Sequence, residues 1–426
     1  MQRRFAPFFC AQFLGAFNDN LFKTALVTII TYDALAWTTL HVGLLNNLIA
    51  GLFILPFMLL SATSGQIADK FEKSQLVRMV KLLEIGIMLV AAVGWLTHNL
   101  WLLVAAVVAM GVHSTLFGPV KHAYLPQHLG AQELVGGNGM VQMGTFVGIL
   151  TGQLSGAVLV TIQPDGLVYI IIATLAVAVC GWLCSRAIPL TAAADPALQI
   201  SRQPLREIAR NLRSAAQNRQ VFIAMLANSW FWFYGAMLLA QLPVFTHDVL
   251  HGEPAVFVLL LTGFSLGIGA GSLLCERLSG GRLQLGLVPA GAIGLSLFGI
   301  DLYVASTAYA GSLTVGAAGF LAQSAGLRIL ADCTLLGVAG GIYGVPLLAQ
   351  IQMQSQRSHL SRTIAGMNIL NALFMVVAAL TAMLLLQAGL SVPQLFLFTA
   401  LLNLLLLVLL CLLQPSYPRA LLEYRL

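Results

Sequence analysis

Apolar residues run through this chain in twelve stretches, each long enough to cross a bilayer as a helix and separated by short polar breaks. Roughly 20 apolar residues suffice for one span. The stretches lie near 8–32, 43–67, 76–97, 100–122, 138–161, 166–187, 220–246, 255–275, 285–305, 327–350, 363–388 and 391–413. The segment 306–327 is rich in Gly, Ala and Ser and only moderately apolar, so it reads as an extracytoplasmic connection or an interfacial helix. The pattern therefore predicts an all-α polytopic membrane protein with twelve transmembrane helices.

The basic residues set the orientation. Arg3 and Arg4 precede the first span; Lys70, Lys73 and Arg78 follow the second, and Lys121 ends the fourth. Arg186, Arg202, Arg206, Arg210, Arg213 and Arg219 surround the break after the sixth. Arg277 and Arg282 follow the eighth, Arg357 and Arg362 the tenth, and Arg419 and Arg425 the twelfth. The alternate loops hold none apart from Arg328 at one margin. The positive-inside rule then puts both termini in the cytoplasm, with the chain multi-pass in the cytoplasmic (inner) membrane.

Composition shifts sharply over 189–220, which carries Pro196, Pro204 and five arginines. This is the expected linker (189–219) between an N-terminal six-helix half (1–188) and a C-terminal six-helix half (220–426). Arg206, Arg210 and Arg213 fall on one face of an amphipathic helix that would lie on the anionic leaflet, or else sit in a solvated linker. A faint repeat supports two halves. Phe117-Gly118-Pro119 is followed twenty residues after its proline by Gly139-Met140, and Tyr343-Gly344-Val345-Pro346 by Gly366-Met367 at the same interval.

Charged residues make up only 8% of the chain, against about 25% in a soluble protein. The net charge of +6 resides in alternate loops, without a basic patch interleaved with aromatics, so no nucleic-acid partner is expected. The six cysteines fall in or beside spans without further metal-ligand spacing. All six read as small core residues, with no disulfide frame, metal site or cofactor. The first apolar run is too long for a cleavable leader and is followed by another span.

Within that first run stands Gln12-Phe13-Leu14-Gly15-Ala16-Phe17-Asn18-Asp19-Asn20-Leu21-Phe22-Lys23. Asp19 lies about eleven residues in, hence ~16 Å deep at ~1.5 Å per residue. A carboxylate there costs at least ~2.5–3.5 kcal/mol unless it meets a partner or a wet cavity. Lys23, four residues on, shares its helical face, so the two form either a self-neutralising structural pair or the charged wall of a substrate cavity. Gln12, Asn18 and Lys121, with Gln241 in the seventh span, complete the candidate binding set.

The loop after the second span reads Gly65-Gln66-Ile67-Ala68-Asp69-Lys70-Phe71-Glu72-Lys73 and resembles the signature loop of the major facilitator superfamily. Gly65 permits close helix approach. Asp69 is expected to pair with a basic residue near the start of span eleven, Arg362 in preference to Arg357, as a conformational latch with Gly65 and Lys70. Such a pair, partly exposed, would contribute about 0–1 kcal/mol. Together with Ala11-Gln12-Phe13-Leu14, Ala16-Phe17, Asp19-Asn20, Pro119, Lys121 and Asn138-Gly139, the loop resembles the lysophospholipid transporter family, most clearly over 9–160.

That resemblance implies a major facilitator fold and a flippase returning lysophosphatidylethanolamine-type lipids to the inner leaflet by alternating access. The lipids are reacylated there, which implies functional coupling to a lysophospholipid acyltransferase. The chain departs from the family where a basic residue is expected in span seven, which here reads Ala236-Met237-Leu238-Leu239-Ala240-Gln241, and in Glu84 beside Lys81. The chemistry suits such a substrate. Asp19 would meet an ammonium and Lys23 or Lys121 a phosphate, while Phe13, Phe17, Phe22 and the aromatic run Trp230–Phe233 either line a tail path or pack the core.

Enzymatic readings find little support. No Lys follows a Gly, and no His has an Asp five positions later. Gly263-Phe264-Ser265-Leu266-Gly267 fits a serine-nucleophile pattern but equally a small-residue helix contact. Besides facilitated flipping, proton-coupled transport of a drug or metabolite through Asp19, Glu84, Asp301 or Asp332 remains open, as does a lipid-binding scaffold.

Overall fold

A computed structural model describes residues 2–32, 37, 42–162, 164–201, 203–309 and 314–423. Arg202, Arg425 and the side chain of Arg3, counted above for orientation, lie outside the described residues. Six long helices come first: α1 (Gln2–Tyr32), α2 (Val42–Lys70), α3 (Lys73–Leu96), α4 (Leu100–His128), α5 (Ala131–Val160) and α6 (Gly166–Arg186). A shorter α7 (Pro204–Gln217) precedes α8 (Arg219–Val244), α9 (Pro254–Ser279) and α10 (Leu287–Thr307). The short α11 (Ala317–Leu321) then leads to α12 (Ser324–Gln354), α13 (Leu360–Gln387), α14 (Val392–Leu413) and a terminal α15 (Ser416–Leu422).

Twelve of these overlap the twelve apolar stretches. Among the described residues, ten of the helices are long and apolar enough by length and composition to cross a membrane. The two others, α1 and α3, carry Asp19, Lys23, Lys81 and Glu84.

Several helices overrun their apolar windows because a helix ends where its terminal groups are capped, not where hydrocarbon stops. The Glu72 carboxylate accepts from the Ser74 and Gln75 amides at 2.9 and 2.8 Å and so starts α3. Asn99 caps α4 in the same way. Ser391 and Gln394 form a capping box at the start of α14. Gly280, at φ 57°, closes α9 in the left-handed conformation that favours glycine. In the 306–327 segment the described residues include α11, and Gly252 bridges Val315 beside it.

The chain packs as two units. The first comprises residues 1–130, 144–217 and 355–369; the second comprises 131–143, 218–354 and 370–426. The beginnings of α5 and α13, which follow the two halves of the sequence repeat, are therefore assigned reciprocally. In the first unit Leu21, Phe22, Ile87, Trp95, Leu103 and Met110 form a core among α1, α3 and α4. In the second, Val135, Cys275, Leu287, Val345 and Ala349 cluster.

In the second unit small residues let α9 pack closely on α12. A methyl group at Gly267 or Gly271 would collide with the carbonyl oxygens of Thr334 or Val338, and one at Gly337 with that of Phe264. The Gly263–Gly267 pattern is thus a helix contact inside α9, not the strand–turn–helix of a nucleophile. The cysteine expectation needs correction. Cys275 and Cys333 are buried, Cys184 and Cys411 only partly, and Cys10 and Cys180 are exposed; all six are free. A thiol is apolar enough to face lipid as readily as a core.

The linker also resolves. Residues Pro204–Gln217 are helical, with Glu207, Asn211 and Ala215 buried at four-residue spacing towards α2. Arg206, Arg210 and Arg213 face outward.

Candidate functional site

Asp19 is buried within the first unit. Its Oδ2 accepts a 2.6 Å hydrogen bond from the Ser114 hydroxyl of α4, and its Oδ1 is buried without a hydrogen-bond partner. Of the two readings of Lys23, the direct ion pair with Asp19 is not formed, although the carboxylate still attracts the ammonium. That ammonium lies over the Phe53 ring of α2, 3.8 Å from the centroid. An aromatic face offers a desolvated ammonium partial charge, and Ser114 supplies the carboxylate with a donor, so the two charges make no direct contact despite their i, i+4 spacing.

Gln12 and Lys121 meet through a third residue. The Lys121 ammonium donates to Thr145 Oγ1 at 2.7 Å, and the Thr145 hydroxyl donates to Gln12 Oε1 at 3.1 Å. Asn18 turns elsewhere, donating from Nδ2 to Glu84 Oε1 at 2.7 Å. Gln241 is half-buried on α8 and belongs to the second unit, whereas the other five belong to the first.

Glu84 anchors a charged network that sequence reasoning did not place in the site. Its Oε2 accepts from the Lys81 ammonium at 2.7 Å and lies 3.3 Å from His113 Nε2. Lys81 and Glu84 are wholly buried. Gly15 makes room for them, because a Cβ there would stand 2.6 Å from Lys81 Nζ. The unusual Glu84 is thus the partner that makes a buried Lys81 tolerable. The i, i+3 spacing of Lys81 and Glu84 could have signalled the pair; His113, set in an apolar stretch of α4, gave no signal.

The aromatic expectations divide. Phe22 is fully buried, edge-on to Trp95 at 6.2 Å, and belongs to the core. Trp230 stacks on Phe233 at 4.6 Å while its Nε1 donates to Asn403. Phe13, Phe17 and Trp232 stay partly exposed.

At the basic-loop end of the first unit, Asp69 is completely buried and Arg362 almost so. Arg362 Nε donates to Asp69 Oδ2 at 2.9 Å, and the Ser361 and Arg362 amides donate to the same carboxylate at 3.1 and 3.3 Å. The pair is therefore buried, not partly exposed as the sequence reading assumed. Gly65 allows the approach: a Cβ there would lie 2.7 Å from Ala365 Cβ. Lys70 stands apart, its ammonium 5.9 Å from the Phe71 ring.

Asp195, from the linker, was not anticipated. Its carboxylate accepts from Arg362 Nη2 at 3.1 Å, and its amide donates to the Asp69 carbonyl at 2.9 Å. Burial pushes the nearby Glu72 carboxyl up, but donors from Thr191, Ser74 and Gln75 outweigh it and hold the group below its usual range. Residues 191–201 thus form a strap tied to Glu72, Asp69 and Gln66.

Long apolar helices around buried charges, with an arginine-held carboxylate at one end, define a multi-pass membrane protein. The family profile of the Major Facilitator Superfamily matches residues 8–334, and the chain belongs to that superfamily. It is similar to the Lysophospholipid transporter LplT of Serratia proteamaculans (strain 568), 23% identical over 364 residues that cover 84% of this chain and 82% of the relative. It is also similar to the Lysophospholipid transporter LplT of Pectobacterium carotovorum subsp. carotovorum (strain PC1), 26% identical over 365 residues, 82% of this chain and 78% of the relative. These relatives bear out the resemblance drawn from the sequence. The crystal structure of the human organic anion transporter MFSD10 (TETRAN) has the same fold, with a TM-score of 0.76 at 14% identity over 96% of this chain and 99% of that one.

Proposed function

We propose that this transporter is a lysophospholipid flippase that moves lysophosphatidylethanolamine-type lipids to the inner leaflet of the cytoplasmic membrane by alternating access. The halves 1–188 and 220–426 move about the 189–219 linker, and both termini face the cytoplasm. The observation that carries the reading is the Asp19 carboxylate, buried with one oxygen unpartnered. An ammonium group would satisfy that oxygen and offset the cost of a charge held in apolar surroundings. Lys121, with Thr145 and Gln12 behind it, supplies a cation for the phosphate, and Lys23 and Asn18 complete the set within the first unit. Phe13 and Phe17 leave apolar surface for the single tail. The product would feed a lysophospholipid acyltransferase.

Asp332 favours a second reading, proton-coupled transport of a drug or metabolite. It is buried with Oδ2 unpartnered, close to the Asp301–Arg328 ion pair. Vesicles carrying the purified protein and labelled lysophosphatidylethanolamine, with and without an imposed pH gradient, separate the two. Flipping independent of the gradient supports the first reading; no lysolipid movement, or movement only with a gradient, rejects it.

A further inference from the structure

Beside the strap, and away from Asp19, a cavity of about 430 Å³ opens within the first unit. It is walled by Lys73, His128 and Arg357, together with residues 190–194. Lys73 is 1% exposed and, among the described residues, forms no hydrogen bond or direct ion pair; Asp69 and then Glu72 attract its ammonium from a distance. A lysine in that position is rare, since buried ammonium groups are almost always paired. The nearby carboxylates are already engaged: Glu72 by Ser74, Gln75 and Thr191, and Asp69 by Arg362. His128 Nε2 is likewise buried without a partner. Arg357 reaches the opening and is exposed.

We infer that this cavity binds a phosphate-bearing anion, with Lys73 as the inner contact, Arg357 as the outer one and His128 Nε2 as a hydrogen-bonding wall. Three nitrogen-bearing side chains converging on a pocket of that size suit a phosphate group, which accepts bonds from several directions. The phosphate belongs either to an anionic lipid headgroup at the membrane surface or to a free phosphate compound in the adjoining water. The occupant would join the α3 start, the strap and Arg357, and so favour the arrangement in which Asp69 holds Arg362. This site is independent of the lysophospholipid proposal, which concerns Asp19.

The test uses the full-length protein in nanodiscs of phosphatidylcholine. In one arm inorganic phosphate is titrated; in the other, phosphatidylglycerol is mixed into the bilayer. Thermal stability and native mass spectrometry report binding in both. Binding confined to the first arm identifies a free phosphate compound, and binding confined to the second a lipid headgroup. Either response should weaken about tenfold or more in Lys73→Gln, the loss expected for one charge-assisted hydrogen bond. Arg213→Gln, an exposed charge on α7, should respond as wild type does. Should Lys73→Gln fail to fold, the exposed Arg357→Gln decides, with the same direction expected. The inference is overturned if neither probe binds the wild type, or if the folded variants bind as well as it does.

Discussion

Asp69→Asn keeps the shape of the Asp69–Arg362 contact and removes one charge. In the structure the carboxylate accepts three hydrogen bonds from the start of α13, from the Ser361 amide, the Arg362 amide and Arg362 Nε. The amide oxygen can still accept from a backbone N–H, but the Asn side-chain NH2 would face the guanidinium. The net loss is about one charge-assisted bond, roughly 1.5–3 kcal/mol. Asp195 still holds Arg362 Nη2, so the contact is weakened without being abolished. The released arrangement should therefore gain about 10- to 100-fold in population. Ser361→Cys reports it, because Ser361 is wholly buried beside Asp69. In a background with the six native cysteines replaced, thiol labelling at 361 should accelerate by that factor when Asp69→Asn is added. An unchanged labelling rate with unchanged transport would refute the latch.

Other perturbations follow from the same geometry. Asp195→Ala should speed labelling at 361 less than Asp69→Asn does, since it removes only the more exposed of the two acids holding Arg362. Glu84→Ala should leave the wholly buried Lys81 ammonium without its carboxylate partner and cost about 3–5 kcal/mol, the scale of a broken buried pair, read as a lowered melting temperature. For Glu72 the folded carboxyl titrates below its ordinary 4.5, so its contribution is full above that value and is lost as pH falls through the folded one. Hydrogen-exchange protection of the Thr191 amide should accordingly fall on acidification below about 4.5, and Glu72→Gln should abolish that dependence.

Much of this was readable from the chain, for reasons that differ by element. Spans are legible because lipid requires every backbone polar group to be satisfied within the segment, which leaves long apolar runs as the signal. Gly65, Asp69 and Arg362 were legible because a signature loop and the positive-inside rule put the two charges on one side. Asp195 was not, since an acid in an extended linker has no periodicity to betray its partner. Lys23 stayed open between a pair with Asp19 and a cavity wall because helical spacing fixes which face a residue occupies but not where a long side chain ends. There, the Phe53 ring of another helix decided the outcome. Glu84 was noticed as odd, yet only the three-dimensional meeting of Asn18, Lys81 and His113 explains it.

The central claim, that Asp19 receives the ammonium of a lysophospholipid, is tested most directly by comparing two headgroups on one variant. Wild type and Asp19→Asn are reconstituted in vesicles and supplied with labelled lysophosphatidylethanolamine or lysophosphatidylglycerol, which lacks the ammonium. Losing one charge-assisted bond of roughly 1.5–3 kcal/mol should weaken uptake of the first about 10- to 100-fold. Uptake of the second should change by less than about threefold, because no ammonium bond of that size is at stake. Equal loss for both lipids, or normal transport of lysophosphatidylethanolamine by Asp19→Asn, would contradict the account.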